Sequence, residues 1–207
     1  MSILAVALLW GVSKIPIAPQ GLQQEVNTWL PASGVQSPVT AVLLNFRGYD
    51  TLLELHVLLV AVLGAWALGK SDNMGLSARP NPLLVSFVRQ LGPLLVLTAG
   101  YLLWRGSHAP GGAFQAGALL GAAAILQHLS LPADQLPLIK RPLRPLLLLG
   151  PAIFLAVSLA TLMLGGYLEY PKTEAGSLIL LIESAATVSV GAILYALFLG
   201  GEPREHP

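Results

Sequence analysis

Two segments of this chain hold the charges that an apolar environment penalises most. In LLNFRGYDTLLELHVLL, residues 43–59, Arg47, Asp50 and Glu54 recur at i, i+3 and i+7 and line one stripe of a helix, with Asp50 and Glu54 also one turn apart. Arg47 can pair with Asp50, so the cluster need not hold isolated charge, and His56 points to a different side. Such a group is either an ion-paired anchor at the end of a helix or a protonatable, cation-attracting site at a membrane edge. A paired cluster near an interface is cheap, which favours the anchor. Glu183 is harder to place. It lies in SLILLIESAATVSVGAILYALFL, residues 177–199, roughly 10 Å into the helix at about 1.5 Å per residue. A charge at the centre of a span costs about 2.5–3.5 kcal/mol on insertion scales, so the carboxyl must face protein or water. Thr187 shares its face one turn on, with Ser184 and Gly191 near the same stripe. A protonated carboxyl bonded to a neighbouring helix and a carboxylate on a cation or proton path both meet that requirement. The absence of a basic partner on the same helix favours the path.

A third segment, GSHAPGGAFQAGALLGAAA at residues 106–124, interrupts two apolar stretches with residues that weaken helices. Pro110, Gly111 and Gly112 predict a tight turn and the start of a helix. Beyond it Ala113, Gly117 and Gly121 recur every four residues, a smooth face for close helix approach. His108 can titrate near neutrality, although a histidine in a surface turn is the commoner case. Gln127 and His128 predict interfacial polarity at the other end of that helix, and Glu169, Tyr170 and Glu174 a solvated turn.

The elements that position these groups follow from composition. Of 207 residues 55% are hydrophobic and only 10% charged, against about 25% charged in soluble domains. Long apolar runs alternate with short polar segments, the pattern of an all-α, integral membrane helical bundle. A net charge of +1 offers no footprint for nucleic acid. With no cysteine and four scattered histidines, no disulfide, thiolate-held metal or cluster is expected, and no cofactor. Spans are predicted at Tyr49–Leu68, Leu84–Trp104, Ala113–Leu129, Pro145–Gly165 and Ser177–Leu199. The short apolar MSILAVALLWGV, which lacks a basic n-region and a cleavage site, is expected to be an uncleaved anchor that makes the total about six. Lys70, Arg79, Lys140, Arg141, Arg144 and Arg204 outnumber Lys14, Arg47, Arg105 and Lys172 across the alternating loops. That mild bias puts both termini in the cytoplasm, N-in and C-in. Between Lys14 and Pro38, Leu22, Val26 and Trp29 recur at helical spacing, consistent with a short surface helix or with a linker.

The residues Tyr101–Gly117, YLLWRGSHAPGGAFQAG, resemble the signature of the B-type subunits of the Mrp-type multisubunit Na⁺/H⁺ antiporters, approximately G-H-x-x-P-G-G-G-F-x-x-G after an apolar helix; related subunits of membrane-bound hydrogenases carry similar sequence. Val42–Glu54, VLLNFRGYDTLLE, resembles D-F-R-G-F-D-T-x-G-E, which in that superfamily belongs to the C-terminal segment of the large antiporter subunit or to a small separate one. Asn45 replaces the first acidic position, Leu53 a glycine and Ala113 the third glycine of the run. Ser107 leaves only His108 after Gly106, and Glu183 stands near the place of a customary aspartate. The resemblance implies a fusion: residues 1–75 a two-span part like the large-subunit segment, and residues 82–200 a four-span part like the B-type subunits.

It also implies a membrane subunit of a monovalent cation (Na⁺)/proton antiporter complex in the cytoplasmic membrane, with no catalytic chemistry or metal of its own. Its partners would be other membrane subunits, including large complex I-like ones that carry the main proton channels. No lysine lies inside a predicted helix to build a lysine relay here, so the chain is not expected to transport alone. On this view Glu183 and Glu54 are the candidates for protonation or cation passage, with Thr187 and His108 beside the path and Asp50 and Arg47 organising its mouth. Pro110, Gly111, Gly112, Gly117 and Gly121 serve turn and packing. Two alternatives stay open: the ion-translocating membrane arm of a redox-driven complex such as a membrane-bound hydrogenase, and a purely structural subunit.

Overall fold

A computed structural model describes residues 2–14, 21–69, 82–130 and 143–200, and among these it is helical with no strand. The helices are α1 (Ser2–Ser13), α2 (Gln23–Trp29), α3 (Pro38–Ala41), α4 (Gly48–Ala67), α5 (Pro82–Arg105), α6 (Ala113–Ser130), α7 (Leu143–Leu164) and α8 (Ala175–Leu199). The ends of α4 to α8 fall within about two residues of the expected spans. Four of the helices, α4, α5, α7 and α8, are long and apolar enough to cross a bilayer. The twelve residues of α1 reach only about 18 Å, short of a hydrocarbon core of about 30 Å. α6 is diluted by Gln115, Gln127 and His128. Lys70, Arg79, Lys140, Arg141 and Arg204, on which the orientation rests, and the expected junction between the two parts lie outside the described residues.

α8 is the centre of the bundle and packs on α6, α7 and α4, while α5 lies on the far side of α6. One core cluster joins Leu52, Leu55, Phe154, Ile179 and Ile182; a second, towards the other ends of the helices, joins Val62, Leu147, Ile193 and Tyr195. The approach of α6 to α8 is close because both present small residues. A Cβ built on Gly117 would lie 2.7 Å from Val190 Cβ, and one built on Gly191 3.0 Å from Leu120 Cβ. α7 meets α8 the same way, with Gly150 against Ser189. Without a hydrophobic driving force between helices in lipid, this dispersion contact is the principal glue.

The polar loop before α4 is more ordered than its composition suggests. The recurrence of Leu22, Val26 and Trp29 corresponds to α2, followed by a 3₁₀ turn at Leu30–Ala32. Ser37 caps α3, its hydroxyl accepting from the Thr40 amide at 3.3 Å, with Pro38 at the first helical position. Helix then continues through a wide π turn at Val42–Phe46, closed by the Arg47 amide donating to the Val42 carbonyl at 2.8 Å. The Thr51 hydroxyl donates to the Leu43 carbonyl at 2.6 Å, satisfying an acceptor inside that turn. Asn45 donates to the Ser33 carbonyl at 3.2 Å, a bond that an aspartate there could not make.

One expectation is corrected. Tyr170 is buried at 8% exposure and belongs to the core, because the α7–α8 loop folds inward with the Leu168 amide donating to Thr161. Burial pushes the Tyr170 hydroxyl above its ordinary range. Glu169 and Glu174 remain exposed.

Candidate functional site

The turn at residues 106–112 is built against the end of α5. The Leu102 carbonyl accepts from the amides of both Gly106 (3.1 Å) and Gly112 (3.0 Å), and a Cβ on Gly111 would sit 2.5 Å from that same oxygen. From the other side α3 holds the turn. The Ser37 amide donates to the Ser107 carbonyl at 3.2 Å, and the Thr40 hydroxyl donates to the Gly106 carbonyl. Pro110 and His108 face outwards, with His108 beside Trp104 at 5.8 Å between ring centroids.

Glu183 reaches into this construction from α8. It is 5% exposed, and its carboxyl faces the backbone amide of Ala113, the first residue of α6. The first amides of a helix have no partner within it and carry its positive dipole end, so a carboxyl group there acts as a cap delivered from another helix. Gly112 makes the approach possible. Its φ is +115°, in the region that favours glycine, and a Cβ would lie 2.9 Å from Glu183 Oε1. Gly112→Ala therefore both strains the backbone and pushes the carboxyl away. We expect a loss of about 2 kcal/mol, read as a lower unfolding temperature of the detergent-solubilised protein.

The second carboxyl oxygen, Oε2, is buried with no hydrogen-bond partner among the described residues. Glu183 lines a cavity of about 30 Å³ together with Thr40, Thr51, Gly112, Gln115 and Phe154. The space is large enough for a water molecule, and its lining is mostly apolar, with Glu183 and Gln115 beside the Thr40 and Thr51 hydroxyls that already donate to backbone carbonyls. Below this point the route along α6 and α8 is closed by the contacts of Gly117, Gly121 and Gly191. The cavity borders the π turn instead, through Leu43 and Leu44. A larger, open groove of about 360 Å³ between α2 and α3 is lined by apolar residues and Gln23, and holds no ionisable group.

The other sequence-selected residues occupy different places. Arg47 and Asp50 form an ion pair at the surface. Glu54 is exposed on α4 and lines no part of the Glu183 cavity. Thr187 is buried one turn from Glu183, but its hydroxyl donates to the Glu183 backbone carbonyl at 2.7 Å and not to the carboxyl. Sequence reasoning assigns Gly112 to the turn and Glu183 to a path without connecting them, and it gives no role to Thr40 and to Thr51 only a place in the second motif. Neither partner shows in a spacing, because Thr40 bonds a turn 66 residues further along the chain and Thr51 reaches back across the π turn. His128, expected as interfacial polarity, pairs through Nδ1 with the hydroxyl of buried Tyr195 at 2.9 Å.

The chain matches known proteins along most of its length. A family model described as a domain related to the MnhB subunit of Na⁺/H⁺ antiporter matches residues 83–201. An uncharacterised protein of Methanocaldococcus jannaschii is 28% identical over 211 residues, covering 91% of this chain and 79% of that protein. Among solved structures, a chain of the Mrp complex from Dietzia sp. is 26% identical with a TM-score of 0.73; the match covers 100% of this chain and 25% of that one, so the present chain spans a quarter of its length. A chain of the membrane-bound sulfane sulfur reductase, an archaeal respiratory membrane complex, is 24% identical with a TM-score of 0.78, covering 96% of this chain and 93% of that one, and shows a shared fold.

Proposed function

Because the chain belongs to the family of domains related to the MnhB subunit of Na⁺/H⁺ antiporters, we propose that it is a multi-pass subunit of a cation/proton antiporter complex whose own contribution to ion movement centres on Glu183. The observation that carries the role of Glu183 is its burial at the amino end of α6 with Oε2 left open beside a cavity. A carboxyl so placed can take up and release a proton without a basic partner. The positive end of α6 disfavours a bare cation at the same spot, so the group suits proton exchange better than sodium coordination. Protons reach it from the side of the π turn, since the α6–α8 contact below is closed.

In this proposal α1 and α6 complete a set of about six spans with both termini in the cytoplasm, and the complex resides in the cytoplasmic membrane. The chain has two parts, residues 1–75 and 82–200. The start of the family match at residue 83 supports that division, and the bonds from Ser37 and Thr40 to the 106–112 turn tie the parts together. Large membrane subunits supply the main transport machinery, Na⁺ and H⁺ are the transported ions, and Glu54 faces those subunits.

A redox-driven membrane arm is the second reading, favoured by the near-complete match to a sulfane sulfur reductase chain. The fold is common to both settings, so partners separate them. Gentle affinity purification of the chain in mild detergent, followed by mass spectrometry, is expected to retain large many-spanning subunits. Vesicles holding that complex should show cation-dependent proton flux. Recovery of iron–sulfur or nickel-binding proteins would replace the antiporter with a pump arm, and a chain recovered alone would sink the subunit assignment.

A further inference from the structure

Asp50, Glu54, Val57, Ala61 and Gly64 stand at spacings of four, three, four and three residues on α4, the seam along which one helix packs on another. On this seam Glu54, Val57, Ala61 and Gly64 are exposed and Asp50 is partly so. A Cβ on Gly64 would meet nothing within 4 Å. The only polar groups are at the top. Asp50 is held by Arg47, whereas Glu54 forms no hydrogen bond or ion pair among the described residues, although it lies roughly 9 Å into α4.

We propose that this seam is the docking face for a transmembrane helix of a neighbouring subunit that carries a lysine or arginine at the depth of Glu54. The inference rests on the assignment of α4 as a membrane span. Lipid is a poor occupant because hydrocarbon gives a carboxylate neither water nor a donor. A second copy of this chain is also poor, since a two-fold contact along the seam brings Glu54 towards its own equivalent. A helix with a basic residue meets both demands: small residues let it approach closely, and its cation answers the one unpaired charge.

The test is made in the intact complex in native membranes, with a photo-cross-linking residue at Val57 and, as a control, at Leu97, an α5 residue 70% exposed. Val57 is expected to attach to one membrane subunit, at a peptide whose helix holds a lysine or arginine within a turn of the cross-link. Leu97 is expected to attach to lipid. Glu54→Leu should lower the Val57 cross-link about tenfold or more. Attachment of Val57 to lipid while the complex stays intact overturns the proposal but leaves α4 as a span. A cross-linked helix without a basic residue, or a yield unaffected by Glu54→Leu, overturns the charge match. Labelling of Val57→Cys by a membrane-impermeant maleimide in the intact complex overturns the proposal together with the span.

Discussion

Glu183→Gln is expected to assemble into the complex at the wild-type level and to transport less than about a tenth as fast, whereas Glu183→Leu is expected to fail at assembly. The difference follows from what each side chain can accept. Glutamine keeps the shape of the carboxyl and an oxygen for the Ala113 amide, so the amino end of α6 stays capped. It has no proton to exchange. Leucine removes the acceptor and leaves a buried amide at a helix terminus, at a cost of about 1–3 kcal/mol. Complex yield by size exclusion, beside cation-dependent proton flux in vesicles, reads the two effects separately. If Glu183 serves only as a cap, glutamine will preserve transport as well as assembly. That outcome would remove Glu183 from the ion path and leave a structural subunit.

The second large effect lies at the contact beneath that site. Gly117→Leu places a Cβ 2.7 Å from Val190 Cβ and 3.0 Å from the Thr187 carbonyl. Part of what it meets is the backbone of α8, which cannot rotate away, so the helices must separate. Overpacking usually costs about 1–3 kcal/mol, and here about 3 kcal/mol or more is expected because α8 is the central helix of the bundle. Gly100→Leu on α5 is the matched control, since a Cβ at Gly100 meets nothing within 4 Å. It should be neutral or slightly stabilising, because leucine favours helix over glycine. Unfolding temperatures of the solubilised variants decide the comparison. Equal losses at the two positions would mean that helix approach is not what glycine provides at Gly117.

Much of the molecule follows from local regularities. Apolar runs of sufficient length place α4, α5, α7 and α8 to within about two residues, because one helix satisfies its own backbone in lipid. The i, i+3 spacing of Arg47 and Asp50 is enough to make their ion pair, and the four-residue recurrence of Ala113, Gly117 and Gly121 marks a face that meets α8. The spans and the small-residue face are properties of a single helix, readable from its period; the ion pair needs only nearness in sequence, since Arg47 precedes the first residue of α4.

The tertiary structure decided what depends on how helices cross. Gly112 and Glu183 lie far apart in the chain, and each has a sufficient explanation alone, as a turn glycine and as an intramembrane carboxyl. Their contact exists because α8 runs past the first turn of α6 at a distance that only small residues allow. Tyr170 turned inward for the same kind of reason, a loop folding onto a core that no local period describes. The π turn before α4 belongs here too, since Thr51 satisfies the Leu43 carbonyl only after the chain has bent. Sequence alone thus determined which groups the membrane would penalise. Only the packing determined that one of them, Glu183, caps a neighbouring helix while another, Glu54, is left facing outwards.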